Sequence, residues 1–188
     1  MENKIIFAGP VGAGKTTSIQ SVSDIMVVAT EAKASDDVAK RKANTTVAMD
    51  YGLLNLEGGK RVHLYGTPGQ ERFNFMWEIL SEHAIGFIIL IDSARPDPMG
   101  DLDFFVKAFH KAITHCGDAL VIGVTRTEIN PQVDLLDRIN KHLADMKLNV
   151  PVFEVDGRER KDVKQMLLAL LTMMDPKTSR HKGATLHA

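Results

Sequence analysis

The stretch Gly9-Pro10-Val11-Gly12-Ala13-Gly14-Lys15-Thr16-Thr17 decides how the chain is read. It fits the pattern G-x-x-x-x-G-K-[ST] at Gly9, Gly14, Lys15 and Thr16. Before it, Lys4-Ile5-Ile6-Phe7-Ala8 is an apolar run suited to a buried strand, and after it Thr16 to Met26 predicts a helix. Glycines let the backbone curl until its N–H groups point inward at an anion. A helix start adds unpaired donors and the positive end of the macrodipole. Such a loop holds phosphates, with Gly12, Ala13 and Thr17 completing the contact stretch. Lys15 is expected to reach the β- and γ-phosphates and the Thr16 hydroxyl to hold Mg²⁺.

Working outward, Val27 to Thr30 is extended or irregular, and residues 31 to 45 form a long polar connection. Thr46 to Leu56 reads as a strand, Glu57-Gly58-Gly59-Lys60 as a hairpin turn with positive φ at its glycines, and Arg61 to Tyr65 as the returning strand. Helices are predicted at Asn74–His83, Leu102–His115, Val133–Met146 and Asp162–Met174. Strands are predicted at Gly86–Asp92, Ala119–Val124 and Val152–Val155. The expected fold is α/β: a three-layer P-loop NTPase with a six-stranded, mostly parallel sheet and one antiparallel edge hairpin. Such sheets take ligands at the carboxyl ends of their strands.

Composition narrows the function classes. At 188 residues, one domain over 1–175 with a flexible tail at 176–188 is expected. A net charge of −1 gives no global basic field for nucleic acid or anionic lipid. The one cysteine, Cys116, excludes an internal disulfide framework and fits a reducing, cytoplasmic setting; a buried or half-buried helix-end thiol is expected there. The first strand begins almost at once, so no signal peptide is expected. The run Ile85–Ile91 is too short to span a bilayer, and neither terminus carries a lipidation motif, so no direct membrane anchor is expected. The histidines show no metal-ligand spacing.

Gly66-Thr67-Pro68-Gly69-Gln70-Glu71-Arg72-Phe73 directly follows the strand ending at Tyr65. Here the chain resembles the Ras-like small GTPases, which carry a comparable Asp-x-x-Gly-Gln segment as switch II. More narrowly, over about residues 3 to 174 it resembles bacterial members with a Thr-Pro-Gly-Gln core: the gliding-motility polarity GTPases and the nucleotide-binding proteins of conservon operons.

That resemblance implies roles residue by residue. The Gly69 N–H would meet the γ-phosphate, and Gln70 would orient the attacking water. Thr46, with Thr45 as runner-up, would be the switch I threonine that meets Mg²⁺ in the triphosphate state. Thr125-Arg126-Thr127-Glu128 occupies the place of the family's [Asn/Thr]-Lys-x-Asp, with Glu128 set to accept from guanine N1–H and the 2-amino group. Asp156 and Gly157 fall in the loop that meets guanine O6, Gly157 being the donor. Arg41 could stabilise γ-phosphoryl charge in cis, and Arg72 flanks switch II; a well-placed arginine contributes roughly 10³–10⁵ in rate.

Two positions depart from the family. Gly66 stands where most relatives have an aspartate that holds Mg²⁺ through water; another carboxylate or water alone must take its place, and Asp50 and Asp92, both near strand ends, are the candidate carboxylates. Glu128 is one methylene longer than the usual aspartate, and Arg126 replaces a lysine. Phe73, Phe75, Met76 and Trp77 cluster around the switch II helix; packing against the sheet accounts for two or three of them, and any that is exposed would make a partner patch. The resemblance implies a GTP/GDP-binding switch that needs Mg²⁺, hydrolyses slowly and is accelerated by a partner, in these bacterial families a roadblock-type protein. A nucleotide-dependent scaffold is the alternative. A P-loop kinase using ATP is the third reading, but no Arg-rich lid is evident.

Overall fold

The computed structural model describes residues 3–29, 49–70, 73–131 and 134–174. Arg41, Thr45, Thr46, Arg72 and the expected tail lie outside the described residues. Strands are β1 (Asn3–Ala8), β2 (Val28–Ala29), β3 (Asp50–Asn55), β4 (Arg61–Gly66), β5 (Ala84–Asp92), β6 (Leu120–Thr125) and β7 (Val152–Glu154). Helices are α1 (Lys15–Val22), α2 (Asn74–Ser81), α3 (Pro98–His115), α4 (Leu135–Asp145) and α5 (Arg160–Met173). The strand order is β2-β3-β4-β1-β5-β6-β7. β4, β1, β5, β6 and β7 run parallel, and β3 is antiparallel to β4 and to β2. The expected α/β sheet with its antiparallel edge is present, extended by the two-residue β2.

Alternation along the central strands builds a core on each face. Ile5 and Phe7 of β1, with Ile88 and Leu90 of β5, pack with Ile19 of α1 and Val163, Met166 and Leu170 of α5. Ile6 of β1, with Phe87, Ile89 and Ile91 of β5, packs with Trp77 of α2, Leu102, Phe105 and Phe109 of α3, and Ile139 of α4. Each such fully buried side chain contributes roughly 1.5–3 kcal/mol. Burial on both sides fixes the register of β1, so the loop that leaves its carboxyl end has a defined position.

Two helix boundaries differ from the sequence expectation by four residues, for local reasons. α1 stops at Val22 because Ser23 and Asp24 bond to β3 instead: Leu53 N–H donates to Ser23 Oγ at 3.1 Å and Asn55 N–H to Asp24 Oδ2 at 2.7 Å. α3 starts four residues before Leu102. Asp97 caps it, accepting from Gly100 N–H at 2.8 Å, and Pro98 takes the first turn. Apolar periodicity begins only at Leu102, which hid that polar first turn. The glycines of the β3–β4 turn have the expected positive φ, 76° at Gly58 and 74° at Gly59.

Candidate functional site

The loop after β1 lies flat on the neighbouring strand. A Cβ at Gly9 would stand 2.3 Å from the Leu90 carbonyl oxygen, and φ there is 138°, so only glycine fits. Gly14, at φ 91°, opens α1 with no side-chain cap, and the first turn carries no acidic residue. The positive end of α1 is therefore left to an outside anion.

Lys15 is buried, and its ammonium donates to the carbonyls of Gly9 at 2.9 Å and Pro10 at 2.7 Å. Burial lowers its pKa to about 8; Asp50 opposes that shift and Arg95 adds to it. The Thr16 hydroxyl donates to Asp50 Oδ2 at 2.6 Å. Asp92, the other candidate for the missing carboxylate, is turned elsewhere: it accepts from Arg126 at 3.0 Å and from Ala94 N–H at 2.9 Å. Thr16 and Asp50 make a hard-oxygen pair beside an anion site, which suits Mg²⁺.

A cavity of about 540 Å³ runs from this loop across the carboxyl ends of β6 and β7. Gly12, Ala13, Gly14, Lys15, Thr16 and Thr17 line one end; Thr125, Arg126, Glu128, Asp156 and Gly157 line the other. Eleven of the expected contact residues thus share one space of ligand size. Gly9 sits beneath the loop rather than in the cavity. Thr125 is buried and its hydroxyl donates to the Ala13 carbonyl at 3.2 Å, so it ties the two ends together. A Cβ at Gly157 would meet Ser18 Oγ at 2.6 Å, so glycine there lets the loop close on α1.

Sequence reasoning gave Ile129 no role and Arg158 none beyond its place in the loop of Asp156 and Gly157, yet both line the cavity. Arg158 grips Asp156 with two guanidinium nitrogens, at 2.8 Å from Nε and 2.5 Å from an Nη, and holds its carboxyl at about 2. The same guanidinium stands 3.6 Å from Glu128. The Arg158–Asp156 grip is local, two residues apart, but the approach to Glu128 has no local signal, because residues 128 and 158 meet only through the β6–β7 pairing.

The segment after β4 contacts the loop from the other side. Thr67 is buried, with its N–H donating to the Phe7 carbonyl at 2.9 Å. A Cβ at Gly69 would lie 2.5 Å from Val11 N, so this glycine is pressed against the phosphate-loop backbone. Gln70 is exposed and does not line the large cavity. An adjoining cavity of about 370 Å³ is bounded by Pro10, Val11, Gly69, Arg95 and Phe104. Arg95 is held there by Asp101 at 2.5 Å. Of the aromatic cluster, Phe73 and Trp77 are buried while Phe75 is exposed. Cys116 is half-buried at the end of α3, as expected.

A glycine loop on an open helix start, with a carboxylate-bearing loop at the far end of one cavity, defines a P-loop nucleotide-binding protein on the Ras-like GTPase fold. A family model described as "Conserved hypothetical ATP binding protein" matches residues 7–177, and the chain belongs to that family. It is 31% identical over 94 residues to an uncharacterized protein of Methanocaldococcus jannaschii, covering 50% of this chain and 53% of that one. It is 22% identical over 171 residues to the Ras-related protein Rab-12 of Homo sapiens, covering 89% of this chain and 65% of that one. The chain thus spans between about half and two thirds of the length of these relatives. The G domain of the T. maritima FeoB iron transporter superposes with a TM-score of 0.63 at 15% identity, over 92% of this chain and 99% of that one. Among the described residues no helix is long and apolar enough to cross a membrane.

Proposed function

We propose that this chain is a cytoplasmic guanine-nucleotide switch that binds GTP and GDP, hydrolyses GTP slowly and changes its affinity for a partner protein. The observation that carries the proposal is the cavity joining Lys15 and Thr16 to Glu128. Phosphates at one end would meet N–H groups, an ammonium and a hydroxyl. At the other end Glu128 offers a carboxylate, which suits the paired donors of guanine and finds no such pair on adenine. Thr16 and Thr46 would hold Mg²⁺, which neutralises charge on the β- and γ-phosphate oxygens. Gly69 N–H would sense the γ-phosphate and Gln70 would orient water. Arg41 would stabilise the transferring group.

The partner is proposed to dock on the switch II side, where Phe75 and Ile79, one turn apart on α2, are both exposed. By its resemblance to the bacterial polarity GTPases, a roadblock-type protein is the partner proposed.

A second reading, an ATP-binding protein, draws on the description of the family and on the Arg158–Glu128 pairing, which competes for the base-reading carboxylate. Titration with GTP, GDP, ATP and ADP decides between them: guanine selectivity supports the first reading, and equal or tighter ATP binding overturns it. Phosphate release by wild type and Gln70→Leu, with partner present, tests turnover. An unchanged rate removes Gln70 from the reaction.

A further inference from the structure

Asp50 and Gly66 face each other across the antiparallel β3–β4 ladder. They sit where β4 ends and the segment toward Gly69 begins. A Cβ at Gly66 would stand 2.8 Å from Asp50 Oδ2 and 3.0 Å from Asp50 Cβ. Ile19 Cδ1, at 3.2 Å from the same point, closes the space from the α1 side. Any side chain at 66 would therefore displace the Asp50 carboxylate. With glycine there, that carboxylate reaches across to accept from Thr16 Oγ1 at 2.6 Å.

The contact makes little sense for phosphate binding alone. A carboxylate beside a polyphosphate repels it, and more strongly at a partly buried site than in open water. It becomes favourable when a divalent cation lies between the two anions, held by the Thr16 hydroxyl. We infer that Asp50 is the carboxylate that orders the water shell of the bound cation, and that Gly66 is glycine because Asp50 occupies the room a side chain there would need. This rests on the nucleotide reading above and names the group that completes its cation site. Asp50 acts through Thr16 and water, as a positioning residue.

The inference has a signature that damage to the fold would not produce. Removing the Asp50 charge should weaken nucleotide binding when the cation is present, and leave it equal or tighter when the cation is absent. The test is the dissociation constant of fluorescent GDP, with fluorescent ADP as second probe, in saturating Mg²⁺ and in EDTA. Asp50→Asn is expected to lose about 10–100-fold of the tightening that Mg²⁺ gives wild type, while binding at least as tightly in EDTA. Gly66→Ala, which keeps Asp50 but pushes its carboxylate aside, is expected to shift the same way and decides the matter if Asp50→Asn does not fold. Full Mg²⁺ tightening in the variants overturns the assignment, as does a wild type that binds nucleotide with no Mg²⁺ effect. A wild type that binds neither probe in either condition overturns the nucleotide reading, and the assignment falls with it.

Discussion

Trp77 Nε1 donates to the Pro68 carbonyl at 2.9 Å. The indole is packed against Phe104, Phe105 and Phe109 of α3, with ring centroids 5.8, 5.4 and 5.3 Å away. The segment carrying Gly69 is thus tethered to a rigid aromatic layer, not only to the loop it touches. Trp77→Phe keeps much of the packing and leaves the Pro68 carbonyl without this donor. A loss of about 1–3 kcal/mol in urea denaturation is expected, with faster amide exchange at Gly69. Trp77→Ala should cost about 3–5 kcal/mol. Unchanged exchange at Gly69 in Trp77→Phe would show that the tether does not hold the segment.

Gly69→Ala places a methyl group 2.5 Å from Val11 N, and backbone cannot yield as a side-chain end can. The segment must withdraw from the phosphate loop. Under the proposed function the variant binds diphosphate as wild type does but loses about tenfold or more in triphosphate affinity, the size of one hydrogen bond to a charged group. Equal losses for both nucleotides would mean that Gly69 shapes the loop and does not sense the γ-phosphate.

Lys15 sets a pH dependence. Burial lowers its pKa from 10.5 to about 8 in the folded chain. Between those values the unfolded chain keeps a proton that the folded chain has released, so this group's contribution to stability rises with pH across that window. Below it, keeping the buried ammonium charged costs on the order of 3 kcal/mol. Phosphate binding uses the charged form, so affinity should fall by up to about tenfold per unit above pH 8. Arg95→Ala removes a cation that lowers the Lys15 pKa and should move the midpoint upward. The check is nucleotide affinity measured from below to above pH 8, and a midpoint unmoved in Arg95→Ala would sever the link between these two cations.

At the base end the two charged residues should differ in weight. The Arg158–Glu128 pair is exposed and 3.6 Å long, and such pairs contribute about 0–1 kcal/mol. Arg158→Ala is therefore expected to change guanine affinity by less than about fivefold, while raising Asp156 toward the ordinary carboxylate range. Glu128→Gln, which removes a charged acceptor worth about 1.5–3 kcal/mol, should reduce the preference for GDP over ADP about 10–100-fold. Comparable effects from the two substitutions would make Arg158 part of base recognition and not its bystander.

Much of this was legible in the sequence because it depends on neighbours in the chain. The glycine loop, the strand before it and the helix after it are one local unit. The apolar runs at Ile85–Ile91 and Ala119–Val124 became central strands because a buried parallel strand needs apolar residues on both faces. The hairpin turn followed from two consecutive glycines. Boundaries were less legible where a polar side chain redirects the backbone, as Ser23, Asp24 and Asp97 do.

The sequence by itself determined the phosphate-binding loop, the alternation that makes the sheet, and most of the groups at both ends of the cavity, though not Ile129 or Arg158. Only the tertiary structure decided which carboxylate meets Thr16. Asp50 and Asp92 are equivalent as sequence, each an aspartate near a strand end. The antiparallel register that sets Asp50 opposite Gly66 sends one to Thr16, and the β5–β6 pairing sends the other to Arg126. Strand register joins residues far apart in the chain, and no local spacing encodes it.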